Sequence, residues 1–453
     1  MLNKLLGSKK FYKRIVAISL PIMLHQGITN FVNLLDNIMV GQLDKNAIAG
    51  VAIAAQLLFI VNIALMGGLA GPGIFVAQYN GAKDDEGVRQ SFRAKVLFAI
   101  IISIPLILIY SFFSPSIIHL FLDEAASIQA AQSYLNIMIV GIVLIAIVQL
   151  YGSSLREIGK THLPLIAGVI AICINLFLNY VLIFGHFGFP ALGVRGAAIA
   201  TVFSRVIEVL ILVIMSHSRK EVFCHGAYKN FKIDKRLLGR IFKKGMPLLA
   251  NEVLWSLGST VTVLAYSMHG EDIVSALTIS QATTNMFFIL FGALGNSIAI
   301  IVGSDLGANK LEEAKANAHK LIAFGTAIAI LMGVILIVIS RYIPLLYNVD
   351  DSIRHIAQYL MTISGIFFAI YTYNVCCFFT LRAGGATRQT LIFDSLFMWL
   401  GQVTIALLLT LFTEFKIYEV FIAVQLTDVI KSFIGTSMVR KGIWIKNLAL
   451  KLD

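Results

Sequence analysis

The sequence predicts an all-α integral membrane protein, with twelve transmembrane helices in two six-helix bundles related by a pseudo-twofold axis along the membrane normal. Three observations predict it. Long apolar runs dominate the chain, basic residues fall on one side of those runs, and an internal repeat recurs at a constant offset of 226 residues.

The apolar runs come first. Of 453 residues, 58% are hydrophobic and 13% charged. Soluble domains carry about 25% charged residues, so this chain has too little polar surface to cover a globule in water. A helix needs about 20 apolar residues to cross the hydrocarbon core. Runs of that length lie near 15–40, 48–79, 94–116, 129–155, 162–185 and 194–217, then near 240–267, 273–306, 316–343, 355–381, 387–412 and 416–439. Met1–Arg14 is basic and Ile15 opens a run long enough to span, so no cleavable signal peptide is expected.

Charge gives the orientation. The net charge is +12, but Lys and Arg sit in short clusters between apolar runs, which argues against nucleic-acid binding. Thirty basic residues fall on the side of the N-terminus, the 219–244 segment and the C-terminal group that includes Lys431. Five fall on the other side, and Arg205 lies within a span. This asymmetry predicts a multi-pass protein of the cell membrane with both termini cytoplasmic and an even number of spans. Cys173, Cys224, Cys376 and Cys377 form no CxxC, so no disulfide framework, metal site or cofactor is expected.

The repeat divides the chain. Ser19–Gln26 (SLPIMLHQ) resembles Gly245–Glu252 (GMPLLANE), placing Pro21 and Pro247 226 residues apart. Gly81-Ala82 and Gly307-Ala308 share that offset, as do Leu155–Thr161 (LREIGKT) and Leu381–Thr387 (LRAGGAT). The expected organisation is an N-terminal six-helix lobe over 1–217, a cytoplasmic linker over 218–237 and a C-terminal six-helix lobe over 238–453. Six spans per copy insert both copies in the same orientation, an arrangement used by transporters with a central site.

At these residues the chain resembles the multidrug and toxic compound extrusion (MATE) family. The resemblance is carried by LPIMLHQ, LLDNIMVGQL with Asp36, NAIAGVAIAAQ, VAQYNGAK, LREIGKT and LGVRGAAIAT, with SALTISQ and LRAGGAT as second-half echoes. It covers nearly the whole chain. It implies a cation-coupled antiporter that works as a monomer in the lipid bilayer and exports small amphiphilic, often cationic compounds by alternating access. The coupling ion is H⁺ or Na⁺.

Coupling needs a group that binds a cation in one state and releases it in another, and an unpaired carboxylate inside a bilayer is costly enough to do so. Asp36 is the first candidate. His25, Thr29, Asn33 and Asp36 recur at helical spacing, with Gln26 adjacent, and make a polar stripe on an apolar helix that should face a lobe interior or substrate cavity. A packing seam of hydrogen bonds is the competing reading. The resemblance joins Asp36 to Asn175, Asn179 and Thr201 as a cation site. The family pattern has Asp where this chain has Asn179; losing that carboxylate favours H⁺ over Na⁺, although Na⁺ at Asp36, Asn175, Asn179 and Thr201 stays open.

Glu252, at the repeat position of Gln26, is the second coupling candidate. The acid expected from the family on helix ten is absent, and Asn374 is the nearest polar residue there. Gln56, Gln281 and Asn374 join the stripe as cavity candidates. Arg205 with Glu208, and Asp428 with Lys431, are each three apart, so both read as structural ion pairs on one helix face. Asp394 has no evident partner. The chain has no HExxH, GxSxG or paired histidines, so enzyme activity is not expected. The alternative function is a lipid-linked oligosaccharide flippase of the same broad superfamily. It would need basic groups within the spans, where Arg205 stands with Glu208 beside it.

Overall fold

The computed structural model describes residues 7–43 and 45–450, apart from the side chains of Asn33, Leu34, Asn37 and Lys45. Among the described residues the chain is helical with no strand. The first half holds α1 (Lys9–Gly41), α2 (Lys45–Ala82), α3 (Asp85–Ile118), α4 (Ala125–Glu157), α5 (His162–Phe184) and α6 (Val194–Ser218). The second holds α7 (Lys235–Ser267), α8 (Glu271–Gly307), α9 (Leu311–Ile339), α10 (Asp351–Ala383), α11 (Thr387–Phe412) and α12 (Ile417–Arg440). A short 3₁₀ turn, Ile343–Leu346, follows α9.

Eleven of these helices are long and apolar enough to cross a membrane. The exception, α12, carries Glu419, Asp428 and Lys431, and the last two are buried inside the protein. Large apolar side chains such as Phe112 (73% exposed) and Phe433 (72%) point away from the protein interior. That is costly in water and favourable against lipid. Several helices outrun their apolar stretches. Helix α3, for example, starts at Asp85 rather than near 94. The backbone keeps its internal hydrogen bonds until a turn satisfies the last carbonyls, whatever the hydropathy of the final turns.

Those turns repeat with the sequence. Lys83 and Asn309, 226 apart, are both left-handed, at φ 57° and 59°. Asp84 N–H donates to Tyr79 O and Lys310 N–H to Asp305 O, each at 3.0 Å. Gly159 and Gly385, also 226 apart, sit at φ 83° and 70°, with Lys160 N–H on Leu155 O and Ala386 N–H on Leu381 O. Each is a six-to-one helix stop built on a left-handed residue. Pro21 in α1 and Pro247 in α7 likewise both lie inside helices.

The chain divides into two compact units. One comprises Met1–Leu20, Ala77–Asp84 and Met246–Asp453; the other comprises Pro21–Val76 and Asp85–Gly245. In the second of these, Leu57, Val61, Leu65, Leu135, Met138 and Ile142 form a buried core from α2 and α4. The 219–234 segment is ordered there. Arg93, 4% exposed, donates to Ala227 O at 2.8 Å and Lys232 O at 2.9 Å, and Phe92, Tyr151, Phe223 and Tyr228 stack around it. In the other unit, Phe291, Leu336, Met361 and Phe368 pack α8, α9 and α10 together. There the tails of α2 and α8 cross at backbone distance. A Cβ on Gly81 would strike the backbone of Ser304, and one on Gly307 the backbone of Gln78. Small residues are what allow such an approach.

Candidate functional site

In the unit containing α1, α5 and α6, three helices bring Asp36, Asn175, Asn179 and Thr201 together. Asn175 and Asn179 lie one turn apart on α5, so both amides leave the same face. Asn179 Nδ2 donates to Asp36 Oδ1 at 2.6 Å and lies 3.3 Å from Asn175 Oδ1. With its amide nitrogen turned toward α1, Asn175 lies 3.1 Å from each oxygen of Asp36, and its other amide atom is 3.4 Å from Thr201 Oγ1. Thr201 donates to Ala197 O at 2.9 Å. Asn175 and Asn179 are buried and Asp36 is partly buried. The amide oxygen Asn179 Oδ1 is buried without a hydrogen-bond donor among the described residues.

No basic residue pairs with Asp36 among the described residues. The nearest cation, Arg205, is bound by Glu208 one turn along α6. This is the ion pair its spacing indicates. Asp36 is thus a carboxylate held by amides alone in a membrane-spanning helix. Sequence reasoning passed over Tyr134 on α4, whose hydroxyl bonds to Thr201 at the edge of this group.

The rest of the polar stripe is less concentrated. His25 lies against Gly168 of α5, close enough that a Cβ there would strike the imidazole. Thr29 Oγ1 donates to His25 O at 2.7 Å, so its hydroxyl serves the helix backbone. Gln26 and Gln56 are exposed in this unit, and Gln281 is exposed in the other. The side chain of Asn33 lies outside the described residues.

The second unit holds a polar group that sequence reasoning saw only in parts. Lys431 Nζ donates to Asp394 Oδ1 at 2.7 Å and stands over the Phe393 ring, 5.2 Å from its centroid. The pairing of Lys431 with Asp428 inferred from their spacing is therefore corrected. Sharing a face of α12 does not decide which acid the ammonium reaches; α11, packed opposite, supplies a nearer one. Lys431, counted among the cytoplasmic basic residues, is likewise an interior group. Asn251 Nδ2 donates to Asp394 Oδ2 at 3.1 Å, and Ser395 Oγ donates to Asn251 Oδ1 at 2.8 Å.

Asp428 is held instead by Gln402 Nε2 at 3.2 Å and by Asn374 Nδ2, which lies 3.0 Å from Asp428 O and 3.4 Å from its Oδ1. Asn374, expected to line a cavity, is buried at 3% exposure and spends its amide nitrogen on Asp428. Glu252 Oε1 stands 4.0 Å from Arg382 Nη1. Asp394 and Gln402 sit in π-helical stretches of α11, Ile392–Leu396 and Met398–Val403. Such stretches are frequent where a helix carries function. The repeat would have found Asn251, which is 226 residues after His25, and its partner Asp394, which is 226 after Gly168.

No group of three or more His, Cys, Asp or Glu among the described residues is arranged to hold a metal ion, and the four cysteines are free. A MatE family model matches residues 21–181 and again 247–408. Probable multidrug resistance protein YoeA of Bacillus subtilis is 25% identical over 89% of this chain and 88% of its own length. A probable multidrug resistance protein NorM of Bacillus cereus is 30% identical over 78% of each chain. Among solved structures, an outward-facing multidrug resistance MATE family transporter of the MOP superfamily superimposes with a TM-score of 0.87, at 19% identity over 97% of both chains.

Proposed function

Since the chain belongs to the MatE family of multidrug transporters, we propose that it is a cation-coupled antiporter in the cell membrane, exporting amphiphilic, often cationic compounds. Asp36 is the coupling group, and Asn175, Asn179 and Thr201 are its ligands. One observation carries this reading: Asp36 is held at 2.6 Å by Asn179 and has no basic partner among the described residues. An ionised carboxylate so placed is expensive inside a bilayer, and binding one cation removes the cost. Amide and hydroxyl groups orient the acid without neutralising it. With one carboxylate in the group, H⁺ is the better fit; Na⁺ would rely on neutral oxygens for the rest of its shell.

Glu252 is the weaker coupling candidate, because Arg382 stands beside it. The lobes over 1–217 and 238–453, joined by the cytoplasmic segment 218–237, would alternate access around the substrate, with both termini cytoplasmic. A lipid-linked oligosaccharide flippase would need basic groups free to meet a pyrophosphate. Here Arg205 is bound by Glu208, Lys431 by Asp394 and Lys95 by Glu157.

Efflux of a fluorescent cationic dye from membrane vesicles, driven separately by proton and sodium gradients, tests this. Wild type should pump on the proton gradient, and Asp36→Asn should not. Full-rate pumping by Asp36→Asn would sink the proposal.

A further inference from the structure

The unit built from α7 to α12 contains a second acid in the same condition as Asp36. Asp428 is 4% exposed, and its carboxylate accepts only from the amides of Gln402 and Asn374 among the described residues. The ammonium three residues away, Lys431, is occupied by Asp394 and fixed over Phe393. Two carboxylates therefore share one ammonium, and the cluster is one negative charge in excess. Its surroundings do not cancel that charge. On α7 the neighbours are Asn251, Glu252 and Tyr266, and on α10 Tyr371 and Arg382, with Arg382 4.0 Å from Glu252.

An independent observation points to what is bound. Asn374 is 97% buried, being 3% exposed, and its Oδ1 receives no hydrogen bond among the described residues. Its Nδ2 is already committed to Asp428. An orphaned buried acceptor costs about 1–3 kcal/mol, and an excess buried charge costs more. A cation held by Asp428 relieves the excess charge and meets the unpartnered oxygen. The Asp36 group shares this signature, with Asn179 Nδ2 on the acid and Asn179 Oδ1 without a donor.

We propose that Asp428 and Asn374 form a second site for a monovalent cation, H⁺ or Na⁺, in the unit built from α7 to α12, with the Lys431–Asp394 pair as its fixed neutral wall. The inference does not depend on the role given to Asp36.

The test counts cations on the purified full chain in detergent. One arm measures binding of radioactive sodium at about pH 8, and the other measures proton uptake between about pH 9 and 6 in sodium-free buffer. Asp428→Asn should bind one cation fewer than wild type, and the arm that shows the loss identifies the ion. The double variant with Asp36→Asn should bind two fewer. Asn374→Leu keeps every charge and should weaken binding by about tenfold; it carries the test if Asp428→Asn does not fold. Unchanged binding in Asp428→Asn or in Asn374→Leu overturns the proposal. If Asp428→Asn loses a cation while Asp36→Asn loses none, the role of Asp36 falls and this site stands.

Discussion

Asn179 donates to Asp36 at 2.6 Å across a sequence separation of 143 residues, and Asn251 donates to Asp394 across the same separation. The first contact joins α1 to α5 and the second α7 to α11. The two repeats thus place an asparagine–aspartate bond between equivalent helices, at different depths and with donor and acceptor helices exchanged. Only the first leaves its acid without a basic partner, because Lys431 reaches Asp394.

The identity of residue 179 should therefore set ion preference. Asn179→Asp places a second carboxylate beside Asp36, raising the charge available to a hard cation. Dye efflux by this variant should gain a dependence on the sodium gradient of about tenfold, or ~1.4 kcal/mol in cation binding. Efflux that ignores sodium in Asn179→Asp would show that this position does not select the ion.

The crossing of α2 and α8 tails should tolerate no side chain. Gly307→Val and Gly81→Val each drive a side chain into opposing backbone, which cannot rotate away. Overpacking of this kind costs about 1–3 kcal/mol. Thermal unfolding of the detergent-solubilised protein should show lower midpoints for both. Gly292→Ala, where nothing lies within 4 Å of the added Cβ, should match wild type.

Arg93 should hold the 219–234 segment in place. It donates to two carbonyls of that segment and pairs with Glu86 at 2.9 Å. Removing a buried charged donor from such partners costs about 1.5–3 kcal/mol. A probe sits in the same segment. Cys224 is buried, and that burial, together with the nearby Glu221 charge, pushes its thiol up to about 11. Little thiolate exists at pH 8, so alkylation of Cys224 should be slow in wild type. Arg93→Ala should accelerate it; equal rates would mean the segment is held by its aromatic contacts alone.

The start of α7 should weaken in acid. Asp234 is exposed and accepts from Arg236 N–H at 2.6 Å and Leu237 N–H at 3.1 Å, and these backbone bonds lower its pKa. A depressed carboxylate contributes stability above its unfolded pKa, about 3.9, and loses it as pH falls through the lower folded value. Amide exchange in the first turn of α7 should therefore be constant at neutral pH and rise only below about pH 4. Asp234→Ala should show the faster exchange at every pH.

How much of this was legible beforehand varies with the kind of interaction. Hydropathy, basic asymmetry and the 226-residue offset act along the chain, so the helices, their number and the duplicated stops at Lys83, Asn309, Gly159 and Gly385 follow from the sequence. The grouping of Asp36 with Asn175, Asn179 and Thr201 was reached through family resemblance, since those residues lie on three helices. Spacing within one helix identified Arg205 with Glu208 but misassigned Lys431, which has acids on two helices to choose from.

The sequence by itself determined that this chain is a duplicated all-helical membrane protein with an acid in its first span. Helix periodicity and transfer from water are properties of local residue order. Only the tertiary structure decided which charges cancel: Lys431 against Asp394, Arg205 against Glu208, Asp36 and Asp428 against amides alone. In a low-dielectric interior an ion's worth depends on the few ångströms to its partner, and that distance is set by which helix packs opposite.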